Sequence, residues 1–300
     1  MARHIILYTM QQNRRNFIKT TGITATGILL SPYLPGCKAA NATTSINKTY
    51  GLQLYSLRED LPKDPKGVLS QVASFGYKQV ESFEGPKGIF WGMTNTEFKK
   101  LMDDLGMKIV SSHTDINKDF DRKAAEAAAI GMKYLLCPYL GPQKSIDDFK
   151  RFADTFNKRG EVCKKNGIRF GYHNHDYSFK PIDGQLPQDV LMQNTDKDLV
   201  DYEMDIYWVV NAGQDPQTWF KKYSDRFRLC HIKDRMKNAP VTPKNVSVVI
   251  GTGSIDFPTI LKTGIQNGLQ YFIVEQEAYE GTTPLQAVKE DAAYMRTLKV

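Results

Sequence analysis

Eight short apolar runs alternate without interruption with segments of helical periodicity, and this alternation constrains the chain more than any other feature. The runs cover Tyr50 to Leu57, Tyr77 to Phe83, Met107 to His113, Met132 to Tyr139, Ile168 to His175, Leu199 to Ile206, Phe227 to Lys233 and Gln270 to Glu277. Stretches such as KIVSS, KYLLC and YFIVE are apolar without clean alternation, as expected of strands covered on both faces. Helices are predicted from Asp64-Pro65 to just before Gly76, from the Thr94/Glu97 capping box to Gly106, and over Phe120 to Ile130, Ser145 to Asn166, Pro216 to Tyr223, Phe257 to Gln266 and Thr283 to Leu298. Such alternation implies right-handed crossovers and a parallel sheet. Eight repeats in residues 49–300 predict one α/β domain, a closed (β/α)8 TIM barrel. An open doubly wound sheet is the competitor; against it, no GxGxxG follows the first strand.

In parallel α/β architectures active sites gather at the strand carboxyl ends. Here those ends are polar: Tyr55 and Arg58, Glu81, His113, Tyr172-His173-Asn174-His175, Asp205 with Tyr207 and Trp208, His231 with Lys233 and Asp234, then Glu275 and Glu277. Four of the chain's five histidines fall in this set. The stretch from Asp201 to Arg235 is one strand–helix–strand unit carrying Asp205 at the end of one strand and His231 at the end of the next. A single strand-end histidine is ordinarily a hydrogen-bonded structural residue, and Asp205 could simply cap the helix after its strand, leaving Glu203 as the ligand. His173, Asp205, His231 and Glu275 on four consecutive strands form a set that suits one metal ion. Two imidazoles and two carboxylates without thiolate fit Mn2+, Co2+ or Zn2+.

The motifs GLQLYSLRED, GYKQVE, YHNHDYSF, MDIYWVVNAG, HIKD, GTGSIDFPTIL and VEQE together resemble the xylose-isomerase-like barrel family of sugar phosphate isomerases and epimerases. That family also includes inosose dehydratases and endonuclease IV. The resemblance covers nearly the whole domain from residue 49 onward. It implies a metal site of Glu, Asp, His and Glu on strands five to eight, as in the ketose epimerases, and the last three carry over to Asp205, His231 and Glu275, with Glu277 as fallback. His173 stands where the fifth-strand glutamate would be. Epimerisation between two glutamates on opposite faces therefore loses one partner.

A divalent metal chelating a carbonyl oxygen and its neighbouring hydroxyl would stabilise the enediolate formed when the α-carbon loses its proton. Candidate bases are Glu277, His175 and His113; Lys233 or Arg235 would steady the developing charge. Tyr55, Glu81, Trp208 and Arg235 are the candidate substrate-binding residues. The expected activity is sugar isomerisation or epimerisation on a keto or free sugar. Elimination from keto-glycosides or inososes at the same site, and sugar binding without turnover, are the alternatives. The expected partner is a small carbohydrate, with homo-oligomerisation left open.

Residues 1–37 read as an export leader: Asn13-Arg14-Arg15-Asn16-Phe17-Ile18-Lys19 resembles the twin-arginine signal, and the run from Gly22 to Leu34 is too short to span a bilayer. Leu34-Pro35-Gly36-Cys37 resembles a lipoprotein box, which would attach the protein to a membrane through a lipidated Cys37, although Pro35 departs from the usual small residue. A linker spans 38–48, and the expected address is periplasmic. Without Arg3, Arg14, Arg15 and Lys19 the formal charge falls from +7 to +3, which argues against nucleic acid as a partner. The remaining cysteines, Cys137, Cys163 and Cys230, have no disulfide or zinc-site spacing and read as buried thiols.

Overall fold

The computed structural model describes residues 49–242 and 244–300. The leader, the linker and Cys37 lie outside the described residues, and among the described residues no helix is long and apolar enough to cross a membrane. Eight parallel strands close into a barrel in chain order: β1 (Gly51–Gln53), β2 (Gln79–Phe83), β3 (Lys108–His113), β4 (Tyr134–Cys137), β5 (Arg169–His173), β6 (Val200–Asp205), β7 (Phe227–Ile232) and β8 (Tyr271–Val274), with β8 pairing back to β1. The expected barrel is present, and the open-sheet competitor is excluded by that last pairing.

Nine helices of the described residues surround it: α1 (Pro65–Ser74), α2 (Asn95–Asp104), α3 (Phe120–Ala129), α4 (Ile146–Lys165), α5 (Pro187–Asn194), α6 (Ile206–Asn211), α7 (Pro216–Lys222), α8 (Phe257–Gln266) and α9 (Pro284–Thr297). Their starts follow local chemistry. Thr94 and Ser145 form capping boxes with Glu97 and Asp148, and Asp64, Asp215, Asp256 and Thr283 each accept a first-turn N–H ahead of a proline-containing turn. The apolar faces pack on the outside of the barrel, where Leu52, Val80, Leu135, Phe170, Met204, Cys230 and Val274 are buried in one continuous core. Residues of opposite parity face inward. At the amino end the interior is closed by Tyr134, Leu136 and Leu229, with Tyr271 against them.

The structure differs from the sequence reading in four places. The first strand stops at Gln53, whose side chain accepts from Tyr55 N and starts a 3-10 turn over Leu54–Leu57. The sixth strand stops at Asp205, because its carboxylate accepts from Trp208 N at 3.2 Å and opens α6. The sequence reading sets no bounds for the helix between strands five and six, where α5 lies, begun by Pro187 and weakly amphipathic. After β7, Asp234–Arg235 pairs antiparallel with Ser247–Val248.

Asp234 fastens the segment that follows. Its Oδ2 accepts from Gly251 N and Gly253 N, both at 2.9 Å, and its Oδ1 from Arg235 N at 2.8 Å and Ile255 N at 3.2 Å. A Cβ on Gly253 would lie 2.2 Å from Asp234 Oδ1, so the glycine is required by close approach.

Candidate metal centre and active site

Strand periodicity builds the site. On β5 to β8 and their immediate extensions, residues two apart share the inward face, giving the pairs His173/His175, Glu203/Asp205, His231/Lys233 and Glu275/Glu277. Asp205 and His231 are register partners, as are His173 and Glu203, so the pairs sit at similar heights. One ligand atom each from His173, Asp205, His231 and Glu275 lies within 4.8 Å of all the others, and all four residues are buried. These are the four residues the sequence singles out for a metal.

Their hydrogen bonds decide which atoms face inward. His173 Nδ1 lies 3.1 Å from Pro138 O, a carbonyl that can only accept, so Nδ1 carries a hydrogen and Nε2 is the nitrogen turned to the cluster. That Nε2 sits 3.3 Å from Asp205 Oδ2. Burial would raise the Asp205 carboxyl, but the Lys233 ammonium and contacts from His173 and His231 hold it well below the usual range. The imidazole and the carboxylate thus turn their ligand atoms toward the same point, where a shared cation would take both. Asp205 is pinned in this pose by Asn174, whose Nδ2 donates to Asp205 O and whose Oδ1 accepts from Asp205 N, both at 3.2 Å. Asp205 thus both caps α6 and faces the cluster.

His231 presents Nδ1 to Glu275 Oε2 at 3.2 Å and Nε2 to Glu81 Oε1 at 2.8 Å. Glu81 is itself fixed by donors from Gln53 Nε2 at 2.7 Å and Ser111 Oγ at 2.6 Å. Burial opposes ionisation of Glu81, yet His113, His231 and Ser111 bring its carboxyl down to about 2. Burial would lower the His231 ring, but Glu203, Glu275 and Asp205 hold it well above its ordinary value, so Nδ1 and Nε2 both carry hydrogens until a cation takes the place of the Nδ1 proton; Glu81 on Nε2 is the carboxylate–histidine pairing that orients metal-bound imidazoles. Glu203, the alternative ligand, lies one layer deeper. Its Oε2 is 2.8 Å from His113 Nε2, its Oε1 has no partner within the protein, and burial together with the Glu81 charge pushes its carboxyl well above the usual range.

The charge balance is completed by Lys233, fully buried, which donates to Glu275 Oε2 at 3.1 Å, hydrogen-bonds Glu277 and lies 3.6 Å from Asp205 Oδ2. Burial would depress its ammonium, but Glu275, Glu277 and Asp205 hold it well above its ordinary value. Burial would also raise Glu275, while Lys233 and His231 keep it low. The N/O donor set, with ionised carboxylates and two imidazoles anchored from outside the cluster, fits a borderline divalent ion such as Zn2+, Mn2+ or Co2+.

Above the cluster opens a cavity of about 400 Å3 lined by Tyr55, Phe83, Tyr139, His175, Glu275 and Glu277, among others. His113 and His173 also reach its wall. His175 Nδ1 has no partner within the protein, and burial with the neighbouring His173 holds the ring well below its ordinary value, so the imidazole is neutral. Two assignments change. Glu81 does not reach substrate: it is fully buried and its carboxylate is spent on Gln53, Ser111 and His231. Arg235 neither reaches substrate nor steadies developing charge, because its guanidinium holds Asn211 Oδ1 and the carbonyls of Ala239 and Pro240. Trp208, the remaining substrate-binding candidate, lines the adjoining cavity. Sequence reading missed Gln53, Ser111 and Asn174 as supports; the signal was there in polar residues inside otherwise apolar strand runs.

Residues 69–298 match the family model described as xylose isomerase-like TIM barrel. The chain belongs to this family. Within the xylose isomerase-like barrels, a sugar phosphate isomerase/epimerase from Parabacteroides distasonis is 32% identical over 87% of this chain and 97% of that one, with a TM-score of 0.71. An inosose dehydratase from Clostridium perfringens is 30% identical over 144 residues, 44% of this chain and 48% of that protein. This chain thus spans about half the length of the curated relatives it matches. The IOLI protein, solved with a zinc atom, shares 13% identity over 83% of this chain and 97% of that one at a TM-score of 0.68, a likeness of fold alone.

Proposed function

We propose that this chain is a divalent-metal-dependent enzyme that enolises a free or keto sugar and returns it as an isomer or epimer. The observation that carries the reading is the convergence of one ligand atom each from His173, Asp205, His231 and Glu275 beneath an open cavity. His173, Asp205, His231 and Glu275 would hold the cation, and Zn2+, the ion named for the IOLI structure, is among those the donor set favours. When bound, the divalent ion supplies Lewis-acid stabilisation of charge developing on the substrate's carbonyl oxygen. Glu277, oriented by Lys233 at the cavity wall, takes the proton from the α-carbon, and His175 or His113 serves the opposite side. Tyr55 offers its exposed ring to sugar C–H faces. The Lys233 ammonium balances negative charge as it moves toward the site.

A second reading, elimination from a keto-sugar, is favoured by His173 standing where a second proton-exchanging glutamate would be needed for symmetric epimerisation, and by the likeness to inosose dehydratases. Export through the 1–37 leader to the periplasm, with attachment through Cys37, belongs to the same proposal: an exported enzyme meets free and oxidised sugars. The test is elemental analysis of purified protein followed by a keto-sugar panel in D2O read by NMR. Isomers or epimers deuterated at the α-carbon support the first reading and an enone the second. A metal-loaded protein with neither exchange nor turnover on any substrate overturns both.

A further inference from the structure

A second cavity of about 490 Å3 adjoins the metal-side one, and the two have the side chains of Tyr139 and His175 in common. Its walls are largely aromatic and apolar: Phe149, Tyr177, Ile182 and Trp208. Two polar atoms of residues in this wall, His175 Nδ1 and Trp208 Nε1, are buried and find no partner within the protein, an unfavourable arrangement unless a ligand or water supplies the bond. At one side Asp176 and Lys180 form an ion pair at 2.6 Å and also line the cavity. Trp208 links the two spaces electrostatically, since Lys233 Nζ lies 5.1 Å from its ring centroid. His175 packs at 5.4 Å from the same indole and stacks on Tyr177 at 5.7 Å.

We propose that the second cavity is a subsite for the second ring of a glycoside, so that the enzyme takes substrates of two rings, one at the four-ligand cluster and the other among Trp208, Tyr177 and Ile182. The inference rests on the carbohydrate reading above and names its substrate class. Three features argue for this occupant over an unrelated ligand. The cavity meets the metal-side one at Tyr139 and His175, so a group attached to a sugar held by the cluster has somewhere to go. Aromatic walls suit the C–H faces of a ring. Few, fixed polar groups beside apolar walls are what a ring with scattered hydroxyls requires. Tyr139, 56% exposed, forms the sill between the two spaces.

The experiment uses the metal-loaded full chain and a panel of phenyl glycosides and disaccharides of glucose, galactose, mannose and xylose, each compared with its parent monosaccharide by isothermal titration. Expected is at least tenfold tighter binding for one or more two-ring compounds. Ile182→Trp and, from a different loop, Pro142→Trp abolish that advantage while leaving affinity for the monosaccharide within twofold. Crystals soaked with the tightest compound show its second ring against Trp208. Equal affinity of every two-ring compound and its monosaccharide, or an advantage untouched by both tryptophan variants, overturns the subsite. Monosaccharide turnover without a two-ring preference defeats this inference and spares the proposed reaction; tight two-ring binding without turnover of any oxidised sugar does the reverse.

Discussion

His231 shows how one side chain is committed from two directions. Glu81 takes one ring nitrogen and the cluster takes the other, so the imidazole cannot rotate without losing both. His231→Ala is expected to leave the circular dichroism spectrum in place and to empty the purified protein of stoichiometric metal; metal retained at one equivalent counts against the ligand set. Glu81→Gln keeps the shape and removes the charge that holds the Nε2 proton. Metal affinity should fall by about 10–100-fold, measured by competition with a chelator, with the fold unchanged. Glu277→Gln should cost about 10²–10⁴ in kcat without loss of metal, since it removes a proton-transfer group and no ligand. These residues were legible in sequence because each ends an apolar run in a polar type. Glu81 and Arg235 were misassigned because a strand-end position does not say whether a side chain turns to the cavity or to its neighbours, and the carbonyls of Ala239 and Pro240 that claim Arg235 lie in irregular chain with no pattern to read.

At the scale of elements, α4 runs so close to the start of β6 that a Cβ on Gly160 would lie 2.7 Å from both Leu199 Cβ and Leu199 O. Gly160→Ala should therefore destabilise by about 1–3 kcal/mol in urea unfolding, despite alanine's better helix propensity, because backbone at that contact cannot yield. Asp291 on α9 gives a pH signature. Its Oδ1 accepts from Ile250 N at 2.8 Å, its Oδ2 has no partner within the protein, and burial raises the carboxyl to about 8. The folded value lies above the unfolded value of about 3.9, so the folded state binds the extra proton and stability falls as pH rises from about 4 to about 8. Asp291→Asn keeps the acceptor and removes the titration. Its advantage should be near zero at pH 4 and on the order of 1–3 kcal/mol at pH 8 in urea melts; an advantage independent of pH would exclude this origin. Element identity was readable where periodicity and caps agree, as for α2 and α4. It failed for α5, whose eight residues carry too weak a pattern, and for the first strand, where the Gln53 side chain ends the extended chain.

For the whole molecule, the barrel was visible because eight repeats leave few closed arrangements for a parallel sheet. The order of residues along it cannot reveal which inward side chains form the working layer and which the layer beneath, since Glu203 and Asp205 differ only by one pleat. Loading the cation should raise the unfolding free energy by about 2.7 kcal/mol at a hundredfold excess over Kd, and a chelator should reverse it; a melting temperature indifferent to both would remove the metal from the native state. The Asp234 carboxylate ties the segment through Ile255 to the residue next to Lys233 by four backbone donors. That flank of the mouth is a fixed jamb. Closure over a ligand should then come from another side of the mouth, such as that of the exposed Tyr139, where deuterium exchange on ligand binding should slow first.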